Sequence, residues 1–176
     1  QLAEGLPYFA LGGYDISPDN KLLAFSVDTV SRREYVIQVK NLETGEILKD
    51  RIPRTQGGAT WAADSKTIFY TAKNPITLLS EKIKRHTLGT SADMDVTVYD
   101  EKDNTNYIGV GKSKNGKYLF IQSQGTLSSE VLYLDAHDAN GKFQVYHRLY
   151  DVLSLTVVSE KNTVGYYDMN SKIVIK

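Results

Sequence analysis

The sequence predicts an all-β fold, a partial β-propeller of about three and a half four-stranded antiparallel blades, on three observations. Short runs rich in Val, Ile and Thr, with 12 tyrosines in the chain, are broken by Asn-Gly, Asp-Asn and Asp-Ser turns. No segment keeps a 3.6-residue apolar period for more than about two turns. A strand–turn–strand phrase also recurs. Ser17-Pro18-Asp19-Asn20-Lys21 leads into Leu22-Leu23-Ala24-Phe25, Ala62-Ala63-Asp64-Ser65-Lys66 into Thr67-Ile68-Phe69-Tyr70, and Ser113-Lys114-Asn115-Gly116-Lys117 into Tyr118-Leu119-Phe120-Ile121. The three lysines are 45 and 51 residues apart, close to the length of one four-stranded propeller blade.

Taken in order, the first blade (13–53) has strands near Gly13–Ile16, Leu22–Val27, Glu34–Asn41 and Glu46–Ile52. Proline presets φ in its first turn, Asp and Asn bond their own backbone there, and Gly45 supplies the positive φ of the last turn. The second blade (58–101) runs through Ala59–Trp61, Thr67–Thr71, Glu81–Thr87 and Val96–Asp100. The third (108–149) uses Ile108–Lys112, Tyr118–Ser123, Ser129–Asp135 and Phe143–His147. A fainter copy of the turn, Val158 to Asn162, opens a fourth blade (153–176) that stops after three strands. Stacked blades half-bury both faces of each strand, so apolar alternation is expected to blur. The chain reads as an arc of a ring and as a piece of something longer, since it starts Gln1-Leu2-Ala3 with neither an initiator Met nor a signal peptide.

The totals exclude several functions. Lysine plus arginine and aspartate plus glutamate both number 21, and a balanced charge argues against a nucleic-acid partner, which calls for a basic excess. Cysteine is absent, which removes disulfides and thiolate metal sites and permits an intracellular origin. No apolar run approaches the ~20 residues of a membrane span, so no membrane partner is expected.

Motif chemistry is sparse. None of the three histidines, His86, His137 and His147, accompanies a Gly-x-Ser-x-Gly elbow; Gly111 to Gly116 is one residue too long and belongs to a hairpin. His86 and His147 are expected to be packing or surface residues. Gly109-Val110-Gly111-Lys112-Ser113 lacks the first glycine of a phosphate loop, Asn106 standing there, and a strand follows rather than a helix. Asp135 to Gly141 resembles a calcium loop in composition alone, without the glutamate at its end. No cofactor or metal is expected. Trp61 is expected between blades, with an exposed binding role as the alternative. Arg32-Arg33 follows Ser31 in a loop between the second and third strands of the first blade, and nothing like it recurs in the other blades. It reads either as a solvated loop or as a partner-facing arginine fork for a carboxylate.

Four phrases resemble the propeller of the oligopeptidase B group within the prolyl oligopeptidase family of serine peptidases. They are Ser17 to Asn20 running through Asp28-Thr29-Val30-Ser31-Arg32-Arg33-Glu34-Tyr35; Asn41 to Gly45; Pro75 to Leu79 with Arg85-His86-Thr87-Leu88-Gly89-Thr90; and Glu101 to Tyr107. Thr126 to Glu130 and Leu134 to Ala136 continue the match. The resemblance implies a cytoplasmic parent enzyme in which a seven-bladed propeller gates an α/β-hydrolase domain. That domain would carry the Ser-Asp-His triad and cut short basic peptides after Arg or Lys. It implies no catalytic residue in this chain, and makes the hydrolase domain of the same parent its partner. Arg33, with Arg32 beside it, is then the candidate interdomain contact, with a hydrolase-domain carboxylate as its mate. Some relatives place an acid just ahead of the aromatic–Gly-Gly segment; Pro7 stands there, so no contact of that acid carries over. The alternative function is a non-catalytic propeller acting as a protein-interaction scaffold. With blade faces left uncovered, the chain alone is expected to self-associate or to be only marginally stable.

Overall fold

The computed structural model describes residues 2–150 and the strand segments 158–160, 163–167 and 173–175, with the last three segments and residues 147–150 given through their backbone only. The first sheet holds β1 (Ala10–Ile16), β2 (Leu22–Asp28), β3 (Tyr35–Asn41), β4 (Ile47–Trp61), β5 (Thr67–Lys73), β6 (Ser80–Thr87) and β7 (Val96–Asp100), in chain order. The second holds β8 (Tyr107–Lys112), β9 (Tyr118–Gln124), β10 (Ser128–Asp135) and β11 (Gln144–Tyr150), and the third β12 (Val158–Glu160), β13 (Thr163–Tyr167) and β14 (Ile173–Ile175). Every pairing is antiparallel. The fold is that of part of a β-propeller.

The recurring turn has a recurring chemistry. In each copy a backbone N–H at the first turn residue closes on the carbonyl five residues on: Ser17 to Leu22 at 2.9 Å, Ala62 to Thr67 at 2.9 Å, Ser113 to Tyr118 at 2.8 Å. The side-chain oxygen of Asp19, Asp64 or Asn115 accepts the N–H of Lys21, Lys66 or Lys117, at 3.1, 2.9 and 3.1 Å. The residue between them takes a left-handed φ, 60° at Asn20, 55° at Ser65 and 73° at Gly116. An Asx acceptor followed by a residue tolerant of positive φ is therefore what the repeat encodes. In the fourth phrase Val158–Glu160 is strand, and residues 161–162 lie outside the described residues.

One strand departs from expectation. Glu46–Ile52 and Ala59–Trp61, expected as separate strands, fall, apart from Glu46, within the single 15-residue β4. Its first part pairs with β3 and its second with β5, and Thr55 meets both Tyr35 and Ala72. The strand bends where it changes partners, with Arg54 at φ 55° and Gly57 at φ 106°. Hydrogen bonding on either side carries the backbone through the bend, so a break that composition suggests becomes a kink.

The core lies between blades. Successive side chains of a strand point to opposite faces, so Ile68 and Tyr70 pack toward the first four strands with Ala24, Ile37, Val39, Ile52 and Trp61. Phe69 between them packs the other way, with Leu119 and Leu134 of the second sheet and Ala136 just beyond β10, and meets Phe143 edge to face at 5.6 Å. Trp61 is fully buried in the first of these seams. Its backbone N–H reaches Asp15 Oδ2 at 3.3 Å and its indole N–H the Asp15 carbonyl at 3.0 Å, which places it between blades as expected.

Antiparallel order sends alternate connections to opposite ends. The repeated turns share one end with residues 42–46, 88–95 and 136–143. Loops 29–34, 74–79, 101–106 and 125–127, with the bend of β4, form the other.

Candidate functional site

The second end carries Ser31-Arg32-Arg33. Asp28 closes β2 and is buried, and its carboxylate organises the loop that follows. Oδ1 accepts the Val30 N–H at 2.9 Å and Oδ2 the Arg33 N–H at 2.8 Å. Ser31 and Arg33 take left-handed φ values of 61° and 53°, a conformation that costs a side-chain-bearing residue about 1–2 kcal/mol and that the two bonds to Asp28 hold in place. From the neighbouring blade, Lys73 Nζ donates to the Arg33 carbonyl at 2.7 Å. Arg33 is thus clamped at both backbone atoms, while both arginine side chains are exposed and neither guanidinium has a hydrogen bond or ion pair among the described residues.

Arg33 borders a groove of about 610 Å³ that runs between the blades at this end. Arg33, Lys73 and Lys102 line it with positive charge, and Glu81, Glu101 and Asp103 with negative charge. Glu81 is held by Asn74 Nδ2 at 2.9 and 3.1 Å. Burial works to raise the Glu101 pKa, but hydrogen bonds from the Ser123 hydroxyl, the Asp103 N–H and the Tyr99 hydroxyl outweigh it and hold the group below the ordinary carboxylate value. Hydrogen bonds from the Thr105 hydroxyl and N–H hold Asp103 low as well.

Apolar side chains stand at the loop tips around the groove. Ile76 is 89% exposed and Tyr107 83%, and Val30 and Leu127 are also largely exposed. The groove meets a second depression along the inner strands through Tyr35 and Gln56, which line both. There the backbones approach closely: a Cβ on Gly13 would stand 2.7 Å from the Gly57 carbonyl oxygen. This end therefore presents unpaired cations, carboxylates and apolar tips around a recess. It can dock a surface or admit a peptide, and it has no nucleophile–base pair among the described residues.

The other sequence candidates fall elsewhere. Gly109 to Lys112 lies in β8, and Ser113 caps the next hairpin by accepting the Tyr118 N–H at 3.0 Å. Asp135 ends β10 and the rest of the run, to Gly141, lies in the connection to β11, with exposed His137 3.1 Å from Asp135. No cluster suited to a metal ion occurs among the described residues. The His147 side chain lies outside the described residues.

His86 holds what sequence reasoning missed. It is fully buried, with Nδ1 2.7 Å from Asp95 Oδ1 and Nε2 3.2 Å from Asp50 Oδ1. Gly89 N–H donates to Asp50 Oδ1 at 2.6 Å, and adjacent Arg85, on the opposite face of β6, donates to the Ala139 carbonyl at 2.9 Å. The phrase Arg85-His86-Thr87-Leu88-Gly89-Thr90 thereby ties β6 to the blades on both sides. The signal was the phrase itself; its carboxylate partners lie 36 and 9 residues away and only the fold unites them.

Comparison with known proteins agrees with this architecture. The family model of the prolyl oligopeptidase N-terminal β-propeller domain matches residues 1–174. Dipeptidyl aminopeptidase BI of Pseudoxanthomonas mexicana is 44% identical over 130 residues, 74% of this chain and 18% of that protein. Protease 2 of Moraxella lacunata is 30% identical over 163 residues, 86% of this chain and 23% of its own. The chain thus spans about a fifth of the length of these curated relatives. Oligopeptidase B of Leishmania major superposes with a TM-score of 0.89 at 26% identity, over 99% of this chain and 26% of that one. Oligopeptidase B of Trypanosoma brucei, in a closed form with covalently bound antipain, gives 0.84 at 27% identity, over 99% and 25%. The seams, the turns and the Ser-Arg-Arg loop thus sit in a chain that belongs to the prolyl oligopeptidase family, as part of its N-terminal β-propeller domain.

Proposed function

We propose that this chain is the gating propeller of a cytoplasmic serine oligopeptidase that hydrolyses short peptides after Arg or Lys. In this reading blades span 13–53, 58–101, 108–149 and 153–176, and the catalytic α/β-hydrolase domain belongs to the rest of the parent. Arg33, with Arg32 beside it, faces a carboxylate of that domain when the enzyme is closed. The observation that carries the reading is the Arg33 loop. Both backbone atoms are fixed by Asp28 and Lys73, yet the guanidinium is left without a partner among the described residues. Holding a residue in a left-handed conformation to present a bare cation serves contact with something else. The exposed apolar tips around the same groove suit a covered face.

A second reading of the parent has its own support, since one relative at 44% identity is named a dipeptidyl aminopeptidase. Both readings are tested with the full-length protein and two fluorogenic substrates, one an arginyl peptide with a blocked amino terminus and the other a dipeptide amide with a free one. Cleavage of the blocked peptide supports the oligopeptidase, and cleavage of the free dipeptide amide alone supports the aminopeptidase. Cleavage of neither, in a parent lacking a Gly-x-Ser-x-Gly downstream, leaves the interaction scaffold.

A further inference from the structure

Both ring nitrogens of His86 face a carboxylate oxygen, Asp95 at 2.7 Å and Asp50 at 3.2 Å. A neutral imidazole has one N–H and one lone pair. In that state one nitrogen would set its lone pair against a carboxylate lone pair inside a site from which water is excluded. Two N–H donors satisfy the arrangement, and these are what an imidazolium has. From this geometry we infer that His86 is a buried imidazolium whose charge clasps the first blade to the second, and that loss of its proton loosens that seam.

The surroundings fit. Asp50 comes from β4, Asp95 from the turn between the 3-10 helix Ala92–Met94 and β7, and the ring from β6. Asp95 Oδ2 accepts the Tyr70 hydroxyl of β5 at 2.8 Å, and Asp50 Oδ1 accepts the Gly89 N–H. These are the titratable groups that meet the ring, and no lysine or arginine bonds to either aspartate among the described residues. Among the described residues the imidazolium is therefore the cation that bonds both buried carboxylates, and removing its proton leaves their charge unbalanced and one of them facing a ring lone pair. Burial by itself would lower the histidine pKa; the hydrogen bonds and charges of Asp95 and then Asp50 outweigh it and raise the pKa above the ordinary value. Burial and the bond to Asp95 also push the Tyr70 hydroxyl up, keeping it a donor.

The sign of the linkage follows. A histidine whose pKa is raised by folding gives its full stabilisation below the unfolded value of about 6.5, and loses it as pH climbs through the folded value. The seam should hold at neutral pH and weaken in alkali.

The test uses the full-length protein with ¹⁵N-labelled histidine, the His86 signals being assigned by their absence from a His86→Gln sample. At neutral pH both ring nitrogens should show protonated shifts and titrate together above the ordinary range. Asp50→Asn, nearly the same shape with one charge fewer, should weaken proton binding by about tenfold or more, the scale of a neighbouring-charge effect. Amide exchange in 47–61 and 80–100, corrected for intrinsic rates, should rise through the same titration. A neutral ring at pH 7, a titration unmoved by Asp50→Asn, or exchange that ignores the titration would each overturn the clasp.

Discussion

At the residue scale, Arg33 shows how backbone chemistry can aim a side chain. Its N–H and carbonyl are bonded to Asp28 and Lys73, so the backbone from which the exposed side chain projects is fixed. If the proposed interdomain contact holds, Arg33→Ala in the full-length protein should lower kcat/KM by about tenfold or more, the loss expected for one charge-assisted pair. Solution scattering should show a larger radius of gyration. Lys73→Met leaves the guanidinium in place but frees its carbonyl, and should reproduce part of the defect. Unchanged kinetics and compactness in Arg33→Ala would reject the interdomain contact. Trp61 is the structural counterpart. Trp61→Ala should cost about 3–5 kcal/mol through the cavity it leaves, and Trp61→Phe about 1 kcal/mol more than packing alone through the lost bond to Asp15. Denaturant melts of the full-length protein check both.

At the scale of elements, β4 is where two blades become one sheet. Gly57 sits at its bend with φ 106°, and a Cβ there would stand 2.9 Å from the Tyr35 ring. Gly45 also has a positive φ, 77°, but open space around it. Gly45→Ala should therefore cost only the conformational penalty of about 1 kcal/mol. Gly57→Ala should cost clearly more, because the Tyr35 ring must also move. Equal melting shifts for the two would show that the ring yields freely. The strands themselves were legible because turn chemistry marks their starts: Asp19, Asp64 and Asn115 each bond the lysine two residues on. The continuity of β4 was not legible. Glu46–Ile52 and Ala59–Trp61 read as separate strands, and only pairing with β3 on one side and β5 on the other carries the strand through residues 53–58.

For the whole molecule, the seams between blades are the core, so a blade at the end of an arc has a face with nothing to pack on. On β1, Tyr14 is 70% exposed and Ile16 is exposed as well, and strand alternation sets both opposite Asp15, whose carboxylate accepts the Trp61 N–H. The isolated 176-residue chain should associate with itself, seen as a concentration-dependent sedimentation coefficient, and Tyr14→Glu should reduce it. A clean monomer with a high cooperative melting transition would count against this. The same chain should leave arginyl peptides uncut; cleavage by pure chain would move the chemistry into it.

The sequence by itself determined the all-β class, the repeat and the loop that sets the first blade apart, because these rest on residues within a few positions of one another. Asx acceptors, left-handed turn residues and strand alternation act locally, and a reader of the chain can find them. Tertiary structure alone decided what those pieces meet. It set Lys73 on the carbonyl of Arg33, 40 residues away, and Asp50 on His86, 36 away. Blade stacking chooses such neighbours, and the strand pattern leaves no trace of which polar side chains will be buried opposite one another. That is why His86, read as a packing or surface residue, proved to stand between two buried carboxylates.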